Sequence, residues 1–381
     1  MKQYCIGTLN NISKVGLSRL TDDFVLTDDN ELANGIIVRS YKMHDMAFSK
    51  NLLAIGRAGA GVNNIPLDRC AEEGIVVFNT PGANSNAVKE LVVAGLILGA
   101  RNIYEGVSWA NTLEGDVAGV VEKGKKQFAG SEIEGKTLGV IGLGAIGAKV
   151  ANAAYALGMN VVGYEAFRPH PCLTAPVELC DSVEEMVPGC DYISIHVPSL
   201  PATKGMINAE LIAKMKDGVI LLNYARPDLV VNADILSAIA SGKIRKYLTD
   251  VPNEELIRQP GVVATPHLGA STEEAEDNCA SMAADELMDF LANGNIRNSV
   301  KFPAVSAEPA EGTVRVSILY KDIEDIAAVV NEAIGVDNIV KIAVGRSRSN
   351  YGAAVVLLKD GTDTAALEDL SAEGILRVRV L

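Results

Sequence analysis

Residues 137–165 read TLGVIGLGAIGAKVANAAYALGMNVVGYE, and no other stretch narrows the possible folds as much. Gly142, Gly144 and Gly147 satisfy the spacing G-x-G-x-x-G. The spacing alone is a weak signal; its setting gives it force. LGVIG reads as a buried strand ending at Gly142, AIGAKVANAAYALG as a helix closed by Gly158, and NVVGYE as a second strand ending in Glu165. Each glycine has its own task in such a unit: a tight turn, close approach of the backbone to a pyrophosphate, and close packing of helix on strand. The helix N-terminus then faces the phosphates, where its N–H groups and dipole favour an anion. We therefore expect Gly142, Gly144, Ala145, Ile146 and Gly147 to cradle a dinucleotide. Glu165 is placed to accept hydrogen bonds from a ribose 2′-hydroxyl and to repel a 2′-phosphate, which selects NAD over NADP.

The same alternation of strand and helix runs through the flanking sequence. Before the motif, GIIVRS (35–40), LLAIGRAG (52–59) and GIVVFNT (74–80) read as buried strands, with PLDRCAEEG between two of them as a helix opened by Pro66 and stopped by Gly74. SNAVKELVVAGLILGARNIYEGVSWANTL (85–113) reads as one long helix. After the motif, 191–198, 218–225, 246–252 and 261–269 are strand-like, with helices at 230–241 and 272–294. Strands alternating with helices at this spacing predict parallel sheets and an α/β fold. FPAVSAEPAEG (302–312) lacks periodicity and reads as a linker. Beyond it, strands at 313–320, 337–345, 352–358 and 375–381 and helices at 322–334 and 363–370 follow the β-α-β-β-α-β order of a small ferredoxin-like α+β unit.

Composition removes several classes of function. A formal net charge of −14 disfavours nucleic acid and anionic membrane as partners. The six cysteines include no C-x-x-C pair, so neither a zinc site nor a redox motif is expected, and no metal is. No apolar leader opens the sequence and no run of about 18 apolar residues interrupts it, so the expectation is a cytoplasmic protein.

Ligands of open α/β sheets bind beyond the carboxyl ends of the strands. Four groups fall at such ends: His196 after DYISI, Arg226 after VILLNYA, Glu254 and Glu255 shortly after KYLTDV, and His267 after GVVATP. Pro227 restricts Arg226 to extended backbone. A guanidinium over a sheet edge suits a substrate carboxylate. A carboxylate beside His267 would hold the imidazole as an acid–base group. Arginine, carboxylate and histidine following a dinucleotide motif suit hydride transfer to or from a hydroxy acid. A protein that binds the dinucleotide without turnover, such as an NAD-sensing corepressor, is the alternative class.

VIGLGAIG, HVPSLPATKGMIN, NYAR and TPHLGAST, together with IVRS, GRAGAGVNNI and FNTPGANSNAVKEL, resemble the motifs of the D-2-hydroxyacid dehydrogenase family, over roughly residues 1–300. The resemblance implies a discontinuous substrate domain (1–98 and 287–301), an NAD-binding domain inserted into it (99–286), the linker 302–312, and an ACT-like regulatory domain (313–381). It also explains why the glycine motif lies so far into the chain. Carried over by motif, Arg226, His267 and one of Glu255 or Glu254 are the catalytic residues. His196, Val197, Pro198, Thr203, Asn223, Ala225, Asp250 and Gly269 join Glu165 and the glycine loop around NAD, with Asp250 positioning the nicotinamide amide. Arg39, Ser40, Ala60, Gly61 and Asn84 surround the substrate, and Arg39 and Asn84 are the phosphate contacts of a small phosphorylated 2-hydroxy acid. A homo-oligomer, dimer or larger, is implied as well. The chain departs from the family pattern at Pro227, where glycine is usual, at DVPNEEL, which shortens the path from Asp250 to the histidine, and at Asn63, where aspartate is common.

Overall fold

In the structure, a computed structural model, residues 3–347, 349–368, 370 and 373–381 are described. The chain divides into two compact units, Met1–Asn84 with Glu273–Leu381, and Ser85–Thr272. The first division falls at Asn84, against the expected 98, because the helix Ser85–Ala100 packs on the helix of the glycine motif, and the second at Thr272, against 286, because the whole helix Glu273–Asn293 packs within the first unit.

The first unit opens with five parallel strands, β1 (Tyr4–Leu9), β2 (Phe24–Thr27), β3 (Gly35–Val38), β4 (Ala54–Arg57) and β5 (Val76–Asn79), in the order β2-β1-β3-β4-β5. The last three are the strands expected near 35, 52 and 74. Their apolar runs are buried along their length, as in a parallel sheet covered on both faces. Strands β1 and β2 were not foreseen, since Cys5, Gly7 and Thr8 dilute the apolar signal of YCIGTL. The helix Glu273–Asn293 covers one face, burying Ala283, Leu287, Phe290 and Leu291 against the strands.

The second unit carries seven parallel strands, β6 (Thr137–Ile141), β7 (Asn160–Tyr164), β8 (Glu178–Leu179), β9 (Tyr192–Ile195), β10 (Val219–Asn223), β11 (Ile244–Thr249) and β12 (Val262–Ala264). Their order, β12-β11-β10-β9-β6-β7-β8, reverses direction between β6 and β9, which is the switch point where such sheets bind ligands. The long helix expected over 85–113 is instead two helices, Ser85–Ala100 and Ile103–Ala110, bent by 74°. The Ala100 carbonyl accepts the Ser131 N–H at 3.0 Å, and Arg245 donates to the Gly99 carbonyl at 2.9 Å. These distant donors take carbonyls that a continuing helix would use, so the helix stops. No single helix among the described residues is long and apolar enough to cross a membrane.

The C-terminal part of the first unit is an antiparallel sheet of β13 (Thr313–Lys321), β14 (Ile339–Arg346), β15 (Tyr351–Lys359) and β16 (Ile375–Val380), ordered β14-β15-β13-β16 as in a ferredoxin-like unit. Its first helix runs Ile326–Ile334 rather than from 322, because the Asp325 carboxylate accepts the Ala328 N–H at 3.0 Å and sets the N-cap. Of the helix expected at 363–370, Ala365–Glu368 is helical, and residue 369 lies outside the described residues. The stretch 302–312 is partly packed: Phe302, Val305 and Ala307 are buried, and Phe302 meets the Tyr351 ring with centroids 5.4 Å apart. Guanidiniums tie this sheet to the rest of the unit. Arg377 donates to the Leu52 and Glu73 carbonyls at 3.1 and 2.8 Å, and Arg379 donates to the Phe290 carbonyl at 3.2 Å.

Candidate active site

The glycine loop has the geometry the motif requires. Gly142 adopts φ +90°, a region that side chains disfavour, and a Cβ there would also stand 2.9 Å from Val197. A Cβ on Gly147 would lie 1.9 Å from the Gly142 carbonyl, so glycine allows the helix Ala145–Ala156 to close on β6. At Gly144 an added Cβ meets nothing within 4 Å, and this residue caps the helix without a side-chain hydrogen bond. The first-turn N–H groups thus border open space, as pyrophosphate binding demands. Glu165 accepts the Leu143 N–H at 2.7 Å and the Phe167 N–H at 3.3 Å, which fixes its carboxylate beside the loop.

The neighbouring strand ends are equally ordered. The His196 ring meets the Ser194 hydroxyl at 2.8 Å, and burial pushes the imidazole down to about 3, so it is neutral at physiological pH. Thr203 donates to the Pro198 carbonyl at 2.6 Å and braces the loop after Val197. Asn223 is fully buried at the end of β10. Its Nδ2 donates to the Arg226 carbonyl at 2.9 Å and its Oδ1 accepts the Ala225 N–H at 3.2 Å. That pair shapes the turn that leaves Arg226 extended and exposed, followed by the short 3-10 turn Pro227–Leu229. Asp250 follows β11 and is 1% exposed. Its Oδ2 accepts the Gly269 N–H at 2.9 Å, while its Oδ1 is buried without a partner. Burial raises the Asp250 carboxyl above its ordinary value; the Gly269 N–H and the positive charges of His267 and Arg226 oppose that rise. Arg226, Asp250 and His267 thus follow the neighbouring strands β10, β11 and β12. The orphaned Oδ1 is an acceptor waiting for a donor such as a carboxamide N–H, so the pocket chemistry fits a nicotinamide.

The two glutamates are not joined to this group. Glu255 accepts Asn232 Nδ2 at 2.9 Å, and Glu254 is exposed. No hydrogen bond or ion pair among the described residues links either to His267.

In the first unit, Arg39 follows β3 and forms an ion pair with Glu276 at 2.7 Å. Ser40 donates its N–H to Asn10 Oδ1 at 2.9 Å, and the Ala60 carbonyl accepts Asn79 Nδ2 at 2.7 Å. Gly61 and Asn84 are half-buried. Sequence reasoning passed over Arg57, although it ends the apolar run LLAIGR as Arg39 follows GIIV. Strands β3 and β4 are adjacent, with Val38 opposite Arg57, so the two guanidiniums leave the same edge of the sheet. Both act on the buried Cys279 thiol, which burial raises and their charges lower. Arg57 lies where a Gly59 Cβ would stand, 1.4 Å from Nη1, so this arrangement requires glycine.

A family model for the D-isomer specific 2-hydroxyacid dehydrogenase, NAD binding domain, matches residues 93–269. D-3-phosphoglycerate dehydrogenase of Haemophilus influenzae is 34% identical over 87% of this chain and 81% of its own length. The chain belongs to the D-2-hydroxyacid dehydrogenase family. Another member named D-3-phosphoglycerate dehydrogenase, from Methanocaldococcus jannaschii, is 38% identical over 68% of this chain and 49% of its own length. The chain thus spans about half the length of the first curated relatives it matches. A solved structure of NAD+-bound 3-phosphoglycerate dehydrogenase from Entamoeba histolytica superimposes with a TM-score of 0.61 at 27% identity, covering 78% of this chain and 99% of that one. The chain is accordingly a family member that binds NAD.

Proposed function

We propose that this chain oxidises 3-phosphoglycerate at its C2 hydroxyl to 3-phosphohydroxypyruvate, the first step of serine biosynthesis, as a cytoplasmic homo-oligomer. What supports the reading is that Arg226, Asp250 and His267 follow β10, β11 and β12, neighbouring strands of one parallel sheet, and that Asp250 accepts the Gly269 N–H. Arg226 anchors the substrate carboxylate. His267 takes the proton of the C2 hydroxyl as a general base. NAD supplies the acceptor for the C2 hydride. Arg39 and Asn84, and with them Arg57, are the phosphate contacts.

The Arg39–Glu276 pair supports a second reading. A carboxylate already paired with Arg39 competes with a substrate phosphate, which would suit an unphosphorylated acid such as hydroxypyruvate or glyoxylate. Comparing the three oxo acids as substrates for NADH oxidation separates the readings. The proposal expects kcat/KM for 3-phosphohydroxypyruvate to exceed that for the other two by about tenfold or more, the worth of one charge-assisted contact. Equal or better use of glyoxylate would favour the second.

A further inference from the structure

Glu286 lies mid-helix in Glu273–Asn293 and is 7% exposed, far from the groups assigned to chemistry in the sequence. Its Oε1 accepts Asn298 Nδ2 at 2.6 Å, and its Oε2 is buried without a partner. Buried carboxyls are costly, and one that holds a single side chain invites the question of what that side chain does. The segment 298–300 lies antiparallel along the free edge of β5. Ser299 bridges Phe78, the Val300 N–H donates to the Val77 carbonyl at 2.9 Å, and the Asn298 carbonyl accepts the Asn79 N–H at 3.3 Å. Asn79, the last residue of β5, then reaches across to β4: its Nδ2 donates to the Ala60 carbonyl at 2.7 Å, while the Thr80 N–H donates to the Gly59 carbonyl at 3.1 Å. Two consecutive donors thus hold two consecutive carbonyls. In a trans peptide the C=O and the following N–H point in opposite directions. Holding the Gly59 and Ala60 carbonyls toward β5 therefore turns the N–H groups of Ala60 and Gly61 the other way.

We propose that Asn79 is a positioning residue for the substrate loop 59–61, and that Glu286, acting through Asn298, holds Asn79 in place. The inference rests on the functional reading above and on the family resemblance, which implies that Ala60 and Gly61 surround the substrate. Gly59 sits at φ +142° and carries no side chain that could itself hold the loop. Removing the clamp leaves the reacting groups of the second unit untouched and changes only the presentation of the loop's N–H groups.

The test compares Asn79→Ala, Glu286→Ala and Glu286→Gln with the wild type in the full-length protein. Amide hydrogen exchange of the 76–82 region is followed by mass spectrometry, and steady-state kinetics are measured with NADH and 3-phosphohydroxypyruvate. Asn79→Ala and Glu286→Ala are expected to lose protection at the backbone N–H groups of residues 79 and 80 and to raise the KM for the oxo acid about tenfold, the effect of roughly one hydrogen bond. Turnover at saturation and the KM for NADH should stay within about twofold. Glu286→Gln keeps an acceptor for Asn298 and should restore both readouts. If Glu286→Ala does not fold, Asn79→Ser takes its place. Unchanged exchange and KM in Asn79→Ala overturn the proposal, as does an equal fall in kcat and cofactor affinity. If the wild type turns over no 2-oxo acid, the functional reading fails. Positioning for the reaction fails with it, and exchange alone then decides whether the clamp exists.

Discussion

Asp250 accepts the backbone N–H of Gly269 at 2.9 Å, and that bond joins the end of β11 to the segment carrying His267. The carboxylate orders the loop, and the charges of His267 and Arg226 oppose the rise that burial gives its pKa. Asp250→Asn keeps an oxygen for Gly269 but removes the charge, whereas Asp250→Ala removes both. Turnover should fall about tenfold in the first and further in the second, with weaker NADH binding in both. Steady-state kinetics and NADH titration of the two variants check this; Asp250→Ala within twofold of wild type would contradict it.

Glu165 is held by the Leu143 and Phe167 N–H groups rather than free to swing away. Its charge should therefore reject a 2′-phosphate. The ratio of kcat/KM for NADH over NADPH is expected to be large in the wild type and to narrow by at least about tenfold in Glu165→Ser. Comparable use of both cofactors by the wild type would rule this role out.

Burial lifts the Glu286 carboxyl from the ordinary 4.5 to about 7. The native state consequently keeps this proton at pH values where the unfolded chain has released it. The resulting stabilisation is complete below about pH 4.5 and is lost as pH rises through about 7, on the order of 3 kcal/mol in all. Arg297 opposes the rise and Asp285 adds to it, so the window belongs to the local group and not to Glu286 alone. Thermal melts of wild type and Glu286→Gln across pH 5 to 8 should converge or cross as the wild type loses this contribution. Parallel melting curves would show that Glu286 ionises normally.

The ion pair of Arg39 with Glu276 is half-exposed, so its own contribution to stability is small. Its effect on a competing anion is the informative quantity. Glu276→Gln should lower the KM for 3-phosphohydroxypyruvate several-fold, by roughly one screened charge interaction, and change that for hydroxypyruvate less. A raised KM for the phosphorylated acid would mean that Glu276 orients Arg39 instead of competing for it.

What could be read from the sequence was local. The glycine loop was legible because each of its three glycines answers a steric demand within a few residues: a positive φ at Gly142, open space at Gly144, contact with a carbonyl at Gly147. Arg226 and His267 were legible as residues following apolar runs, and Asp250 only through family resemblance. Contacts between distant residues were not. Nothing near Ala100 announces that Ser131 and Arg245 will end its helix. Nothing in DVPNEEL says that Glu255 will turn to Asn232. Arg57 had the same signal as Arg39 and was passed over, and the Glu286–Asn298–Asn79 chain joins segments that only the fold brings together.

The account rests most heavily on proton transfer by His267. The direct measurement is the turnover number of His267→Ala with NADH and 3-phosphohydroxypyruvate, taken beside its NADH affinity. Removal of a general acid–base is expected to lower turnover by about 10²–10⁴-fold while NADH binds as in the wild type. Turnover within about threefold of the wild type, with NADH bound normally, would show that another group moves the proton.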